Sequence, residues 1–224
     1  MNNFINLSKW VIVFDIDDTL ISEFEYQLSG VRAIEEFLSK IYNKSFQGKL
    51  LKFLNLGCDD FLSEFCKELN FPEVFKESLL WTYRLHLPDI KFHDGIDELI
   101  VYLKKCKANL AILSDGRSIT QRLKLEALGL NNLPSFISEE YSSDKFSNKR
   151  FLEIQKKWPD KRYVYIGDNA EKDFLIPNEL GWLSIGADWI DNKVHSSEIK
   201  EQTKIPDLWV KNPNEVINIL IKNL

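Results

Sequence analysis

Residues 10–20 read WVIVFDIDDTL, a run of apolar residues that passes directly into alternating aspartates. Short continuous apolar runs of this kind are typical of a strand buried on both faces of a parallel sheet. Asp15 and Asp17 lie at the carboxyl end of the predicted strand, where open α/β sheets bind ligands, and their alternation predicts that they share a face. The stretch therefore predicts a buried parallel sheet with an acidic site at its edge; the alternative is an aspartate-rich surface turn.

Similar apolar runs recur along the chain and alternate with helical patterns. Further strands are predicted at Asn109–Leu113, Ser135–Ser138, Tyr163–Gly167, Trp182–Gly186 and, as a late edge strand, Asp207–Val210. One helix is predicted over 96–103 after the candidate N-cap Asp94, and another begins at Asn212. A third is predicted over 119–128, with apolar positions Ile119, Leu123 and Leu128 and the candidate terminator Gly129. This alternation predicts an α/β fold with a doubly wound, Rossmann-like parallel sheet.

The chain from Ser22 to about Leu87 interrupts the alternation, because its patterns are helical throughout. Apolar residues recur at three- and four-residue spacing over 28–41 and again over 61–69. Pro72 is predicted to start a third helix that Pro88 ends. The predicted domains are an α/β core of residues 1–21 and 89–224 and an inserted α-helical cap of residues 22–88.

The composition excludes several classes of protein. With 224 residues, 44% of them hydrophobic, the chain is long enough and apolar enough to fold around a large core. The formal net charge is −5 and no basic stripe is present, so nucleic acid is not an expected partner. Three cysteines, an odd number in apolar surroundings, favour a reducing compartment and predict a cytoplasmic protein. No segment approaches the ~20 apolar residues of a membrane helix, so no membrane partner is expected.

A second acidic segment, GDNAEKD at residues 167–173, follows the apolar run at 163–167. Asp15 and Asp17 repel each other, so either a cation keeps both ionised or the pKa of one of them rises. A divalent metal would relieve that repulsion, and the two acids of the second segment, Asp168 and Asp173, offer hard oxygen ligands that suit Mg²⁺. The alternative is that residues 167–169 form a turn in which Asp168 caps a helix.

Two further segments carry groups that suit an anion. Ser114-Asp115-Gly116 ends the second predicted strand, where a hydroxyl and successive backbone N–H groups could surround phosphate, although the tripeptide also fits an ordinary turn. Lys145 follows the third predicted strand, where its charge could neutralise phosphate oxygens, although a lone loop lysine is usually solvated.

Four segments of the chain, taken in order, resemble the signature of the haloacid dehalogenase superfamily. They are Asp15-x-Asp17-x-Thr19, Ser114, Lys145 and Gly167-Asp168-x-x-x-x-Asp173. The resemblance spans residues 11–186 and is to phosphatases with a helical cap inserted after the first motif. It implies a Mg²⁺-dependent phosphatase that hydrolyses a small phosphomonoester, of the sugar phosphate or nucleotide class, through an aspartyl-phosphate intermediate. A phosphomutase or phosphotransferase with the same intermediate, or a catalytically silent phosphate-binding module, are the alternatives.

The resemblance also implies roles for the acids at the strand ends. Asp15 would be the nucleophile, and Asp17 would protonate the leaving alcohol and then deprotonate water. Such an acid is not needed to expel a halide, so dehalogenation is disfavoured. Mg²⁺ would be held by the carboxylates of Asp15 and Asp168 and by the backbone carbonyl of Asp17.

The remaining roles concern phosphate. Ser114, with backbone N–H groups around Asp115 and Gly116, would hold phosphate oxygens. Lys145 would counter their charge and orient Asp15, and Asp173 would steady Lys145 or a metal-bound water. The chain departs from the common pattern at Phe146, where many relatives have proline, and Lys149 is a rival for Lys145.

Overall fold

Six short apolar segments pair into one parallel sheet in the computed structural model, which describes residues 5–191 and 205–223. The strands are β1 (Trp10–Phe14), β2 (Asn109–Ser114), β3 (Ser135–Ile137), β4 (Arg162–Gly167), β5 (Leu183–Ala187) and β6 (Leu208–Val210). Each lies within one residue of its predicted bounds, and β6 is at the edge, in the order β3-β2-β1-β4-β5-β6. The predicted α/β fold with a doubly wound parallel sheet is confirmed.

The strand order places the end of β1 at the centre of the sheet. Phe14 is in register with Ile112 of β2 on one side and with Ile166 of β4 on the other. The Asp15 N–H continues this pairing, since it donates to the Ile166 carbonyl at 2.9 Å. The chain leaves β1 toward β2 on one side and reaches β4 on the other, so the loops after these strands diverge around a crevice of the kind that binds ligands.

Helices cover both faces of the sheet. They are α5 (Ile96–Lys105), α6 (Ser118–Ala127), α7 (Ser138–Tyr141), α8 (Lys149–Lys157), α9 (Leu175–Glu179) and α10 (Pro213–Lys222). Apolar side chains of α5, α6 and α10 share one cluster with Ile12 and Phe14 of β1, whereas those of α8 and α9 share another with Val11 and Val13. Alternate residues of β1 therefore face different layers, as a fully buried strand requires.

Between β1 and α5 the chain forms four helices with an apolar cluster of their own. They are α1 (Glu23–Tyr42), α2 (Leu51–Asn55), α3 (Phe61–Glu68) and α4 (Phe75–Leu85). Gly30 lets α1 approach α4, because a Cβ there would overlap the Tyr83 ring. The division into a core and a cap at residues 22–88 stays a prediction; residues 1–4, 192–204 and 224 of the predicted core lie outside the described residues.

Two local helix predictions are wrong and one is confirmed. The N-cap of α5 is Gly95, with φ 87°, rather than Asp94, and no side chain caps that end. On α6 the predicted apolar position Ile119 is 44% exposed, while Gln121 and Lys124 are buried. Gly129 follows α6 with φ 67°, as predicted for a helix terminator. Among the described residues no helix is both long and apolar enough to cross a membrane.

Candidate active site

A cavity of about 140 Å³ opens where β1, β2 and β4 end. It is lined by Asp15, Asp17, Asp18, Glu23, Ser114, Asp115, Lys145, Asp168, Asn169, Lys172 and Asp173. The structure therefore brings together at one cavity every residue that the sequence analysis selected for chemistry except Gly116. Segments separated by up to about 160 residues in the chain meet there because parallel strands end at the same edge of the sheet.

Lys145 links two of the acids in this cavity. Its Nζ lies 2.8 Å from Asp15 Oδ2 and 2.6 Å from Asp173 Oδ1, with all three side chains buried. Asp173 is held in turn, since its Oδ1 accepts from the Tyr165 hydroxyl at 3.2 Å and its Oδ2 from the Asn169 N–H at 2.9 Å. Asp173 thus fixes the lysine, and the lysine fixes the orientation of Asp15.

Gly167 makes this arrangement possible. A Cβ at this position would overlap Asp173 Oδ2 and the Tyr165 ring. Any side chain there would push Asp173 away from Lys145. The glycine at the end of β4 is therefore needed for close approach of the 168–173 loop, not for a special backbone conformation.

Three buried carboxylates surround one point. One oxygen each of Asp15, Asp168 and Asp173 lies within 4.8 Å of the others. Burial raises the pKa of Asp15 to about 7, with Lys145 opposing the rise. Burial, together with repulsion from Asp173 and Asp15, raises the pKa of Asp168 to about 9. A cation placed among these acids would favour their ionised forms.

The two candidate lysines have different surroundings. Burial alone would lower the pKa of Lys145, but the charges of Asp15 and Asp173 hold it well above its usual value, so the group is a permanent cation. Lys149 Nζ donates to the Tyr141 carbonyl at 2.6 Å on the exposed surface. Of the two rivals, the structure brings Lys145 to the acids. Phe146, the predicted departure from the family pattern, is half exposed.

The segment after β2 is organised by a buried arginine that the sequence analysis did not select. Arg150 on α8 donates to the carbonyls of Ser114 at 2.9 Å and Phe136 at 3.1 Å, and it pairs with the Asp115 carboxylate. It thereby joins the ends of β2 and β3. Gly116 does not line the cavity in the described structure, and its N–H donates to a serine hydroxyl of α7 at 2.9 Å.

Asp17 has a separate set of partners on α6. Lys124 Nζ lies 2.6 Å and 2.8 Å from its two carboxylate oxygens, and Gln121 Nε2 donates to Oδ2 at 3.1 Å. The sequence analysis gave these α6 residues no role. Their three-residue spacing was the available signal, because it puts both on one face of the helix.

The predicted cap contributes one further acid to the cavity. Glu23 is the first residue of α1, and its N–H donates to Asp18 Oδ1 at 2.8 Å. Burial, reinforced by the nearby Asp17 charge, raises the pKa of Glu23 to about 7. Asp18 itself has φ 47°, so the chain turns sharply between the first motif and the cap. The acid at the cap entrance therefore faces whatever group occupies the cavity.

Sequence comparisons connect this geometry to known proteins. A model of the haloacid dehalogenase-like hydrolase family matches residues 12–186. The curated glyceraldehyde 3-phosphate phosphatase from Methanocaldococcus jannaschii is 24% identical over 232 residues, which cover 95% of this chain and 97% of that protein. Nearly the whole length of the two chains therefore aligns.

Solved structures with the same fold include the HAD-hydrolase YfnB from Bacillus subtilis, described as bound to magnesium. It is 20% identical, with a TM-score of 0.65 over 94% of this chain and 97% of that one. A protein from Thermotoga maritima named as a β-phosphoglucomutase is 19% identical, with a TM-score of 0.64 over 96% and 99%. At these identities the likeness concerns the fold.

Proposed function

The chain belongs to the haloacid dehalogenase-like hydrolase family, and we propose that it is a Mg²⁺-dependent phosphatase that cleaves a small phosphomonoester through an aspartyl-phosphate intermediate. Family membership confirms the predicted superfamily and the predicted enzyme class, a hydrolase, and the relative named as a phosphatase agrees with action on phosphoric monoesters. The observation that carries the finer proposal is the Asp15 carboxylate, buried beside Lys145 in the same cavity as Asp17.

In the proposed first step an Asp15 oxygen attacks phosphorus as the bond from phosphorus to the leaving oxygen breaks. Lys145 and the Ser114 hydroxyl both line the cavity, where they would bind the phosphate oxygens. Asp17, paired with Lys124 as a carboxylate in the free protein, takes up a proton when the substrate binds and donates it to the leaving oxygen, so the alcohol departs neutral. The products of this step are the free alcohol and a phosphorylated Asp15.

The second step returns the enzyme to its starting state. Asp17, now a carboxylate, takes a proton from water, and the resulting hydroxide attacks the phosphorus of the aspartyl phosphate. Inorganic phosphate leaves, Asp15 is again a carboxylate, and Asp17 is again protonated. Both half-reactions therefore require the Asp17 carboxyl group to be held in a fixed position beside the reacting oxygen.

The donor set fits a magnesium ion, because the buried groups that converge are hard carboxylate oxygens. We assign the ion to the carboxylates of Asp15 and Asp168 and to the Asp17 backbone carbonyl. Asp173 suits this role less well, because both its oxygens already accept hydrogen bonds from protein donors. When bound, the ion would screen the negative charge of phosphate from the attacking carboxylate. The magnesium described in YfnB supports magnesium as the ion.

The size of the cavity favours a short leaving group. Its volume of about 140 Å³ is below the ~300 Å³ of ordinary small-molecule pockets. We therefore place a small phosphorylated sugar or polyol ahead of a nucleotide as the substrate. The relative named for glyceraldehyde 3-phosphate, a three-carbon phosphate, supports this choice.

The test is release of inorganic phosphate from a panel of triose, tetrose and hexose phosphates and nucleoside monophosphates. We expect turnover of the smaller esters with Mg²⁺, none with a chelator, and recovery when Mg²⁺ is restored to the same sample. An isomerised sugar phosphate without phosphate release would identify a mutase. Phosphate binding without turnover of any ester would identify a silent binding module, and either result would overturn the proposal.

A further inference from the structure

Lys124 is a buried cation that the proposed mechanism leaves without a role. Its side chain is 4% exposed, whereas that of its partner Asp17 is 22% exposed. An ammonium group is rarely buried this deeply unless a partner compensates for the lost hydration. The compensation comes from both oxygens of Asp17, at 2.6 Å and 2.8 Å. The pair is therefore a fixed element of the cavity wall, not a mobile surface ion pair.

Neighbouring groups fix the position of this pair from two sides. Gln121 Nε2 donates to Asp17 Oδ2 at 3.1 Å and also to Ser114 Oγ at 3.1 Å and the Asp115 carbonyl at 2.9 Å. The ring of Tyr26 in α1 lies 4.0 Å from Lys124 Nζ, a cation–π contact between the cap and the core. The position of Asp17 is thereby tied both to the phosphate-binding segment and to the cap.

The arrangement leaves a defined part of the Asp17 carboxylate for chemistry. A carboxylate has about four lone-pair sites, and Lys124 and Gln121 together occupy three of them. In the described structure Asp17 lines the cavity but Lys124 and Gln121 do not. The remaining site is thus available on the cavity side, where an in-line leaving oxygen must lie.

We infer that Lys124 is a positioning residue that orients the Asp17 carboxylate toward the leaving-group oxygen. This inference rests on the proposed phosphatase function. Lys124 would act only through Asp17, so its removal should matter most for esters whose leaving group must be protonated. An alkoxide requires that proton, whereas p-nitrophenolate leaves without it.

The experiment measures kcat/KM for glycerol 2-phosphate and for p-nitrophenyl phosphate with wild-type protein and the Lys124→Met variant. Because kcat/KM covers the steps up to alcohol release, it reports the proton donation by Asp17. We expect the ratio of the alkyl to the aryl value to fall at least about tenfold in Lys124→Met. The fraction of folded enzyme cancels in this ratio, so partial misfolding cannot produce the effect.

Two variants provide the controls. Lys124→Arg keeps a cationic donor and should recover most of the ratio, whereas Lys104→Met removes an exposed lysine of α5 and should not change it. In the Asp17→Asn background, Lys124→Met should cause no further fall in the ratio, because the two residues act as a unit.

The outcomes separate the inference from the proposed function. An active wild type whose ratio is unchanged or raised in Lys124→Met would overturn the positioning role alone. A further fall in the double variant would also overturn it, since Lys124 would then act without Asp17. A wild type that releases phosphate from neither of these esters nor from any ester of the sugar phosphate and nucleotide panel would overturn the proposed function and the positioning role with it.

Discussion

The two sides of the cavity bury charge in different ways. On the β4 side, Asp15, Asp168 and Asp173 lie together and the ammonium of Lys145 pairs with Asp15 and Asp173, so within this cluster negative charge exceeds positive charge. On the α6 side, Asp17 and Lys124 form a pair of equal and opposite charge. The unbalanced side raises the pKa of its acids and favours binding of a cation. The balanced side does not require a bound cation, and its function is to hold the Asp17 carboxylate in place.

The largest expected effect comes from the unbalanced side. Asp15→Asn should abolish turnover, because an amide oxygen neither forms the phosphorylated intermediate nor serves as an anionic metal ligand. The fold should survive, since the side chains have similar volumes and one of the mutually repelling acids is removed. Phosphate release together with thermal unfolding tests this expectation. Turnover in a folded Asp15→Asn protein would contradict the proposed mechanism. The matched control is Asp59→Asn, which makes the same substitution at an exposed residue and should keep turnover.

On the balanced side, Asp17→Asn should slow turnover by roughly 100-fold, the usual effect of removing a positioned acid–base group. The phosphorylated Asp15 should still form from an ester with a good leaving group, because no proton is needed there. Rapid acid quenching after mixing with p-nitrophenyl phosphate would detect that intermediate. If the variant hydrolysed alkyl esters at the wild-type rate, Asp17 could not be the acid.

The unbalanced side should also control how the stability of the metal-free protein depends on pH. The pKa values of about 7 for Asp15 and about 9 for Asp168 lie above the ordinary value of 3.8. Their protonated forms thus stabilise the fold fully below about pH 4, and this contribution is lost as the pH rises through both folded-state values. Without metal, the Tm of the wild type minus that of Asp168→Asn should decrease as the pH is raised from about 5 to about 9.

Magnesium should reverse this fall. Binding requires ionised carboxylates, so added Mg²⁺ should raise the Tm more at about pH 9 than at about pH 5. The Asp168→Asn variant should show a much smaller response. A Tm difference between the two proteins that stays constant with pH, or a magnesium effect that is larger in acid, would contradict the assignment of the raised pKa values to these acids.

The unbalanced side is also the part of the site that could be predicted from the sequence. Strands buried on both faces require continuous apolar residues, so β1 and β4 are visible as short runs, and the acids that follow them mark their carboxyl ends. Since parallel strands end together, Asp15 and Asp168 could be placed near each other without coordinates. Lys145 could be nominated from its place after the third predicted strand, but Lys149 remained a rival until the structure distinguished them.

The balanced side could not be predicted in this way, because its residues violate the usual periodicity rule. Polar residues of a helix normally face water, but on α6 Gln121 and Lys124 face the site and Ile119 is exposed. Arg150 likewise looks like a solvated charge in the sequence, yet it is fully buried among carbonyl groups at the ends of β2 and β3. Buried polar groups are recognised only from their partners, which lie on distant segments.

The smallest expected effect concerns Glu23, the first residue of α1, which lines the cavity. At about pH 8, above its pKa of about 7, this acid should be largely ionised and should repel a substrate that carries its own carboxylate. Glu23→Gln should therefore raise kcat/KM for phosphoglycolate relative to glycerol 2-phosphate by about fivefold, or roughly 1 kcal/mol. Glu25→Gln, on the exposed face of the same helical turn, should leave the ratio unchanged. If both variants behaved alike, the cap acid would not face the leaving group, and the specificity of the cavity would have to come from the core.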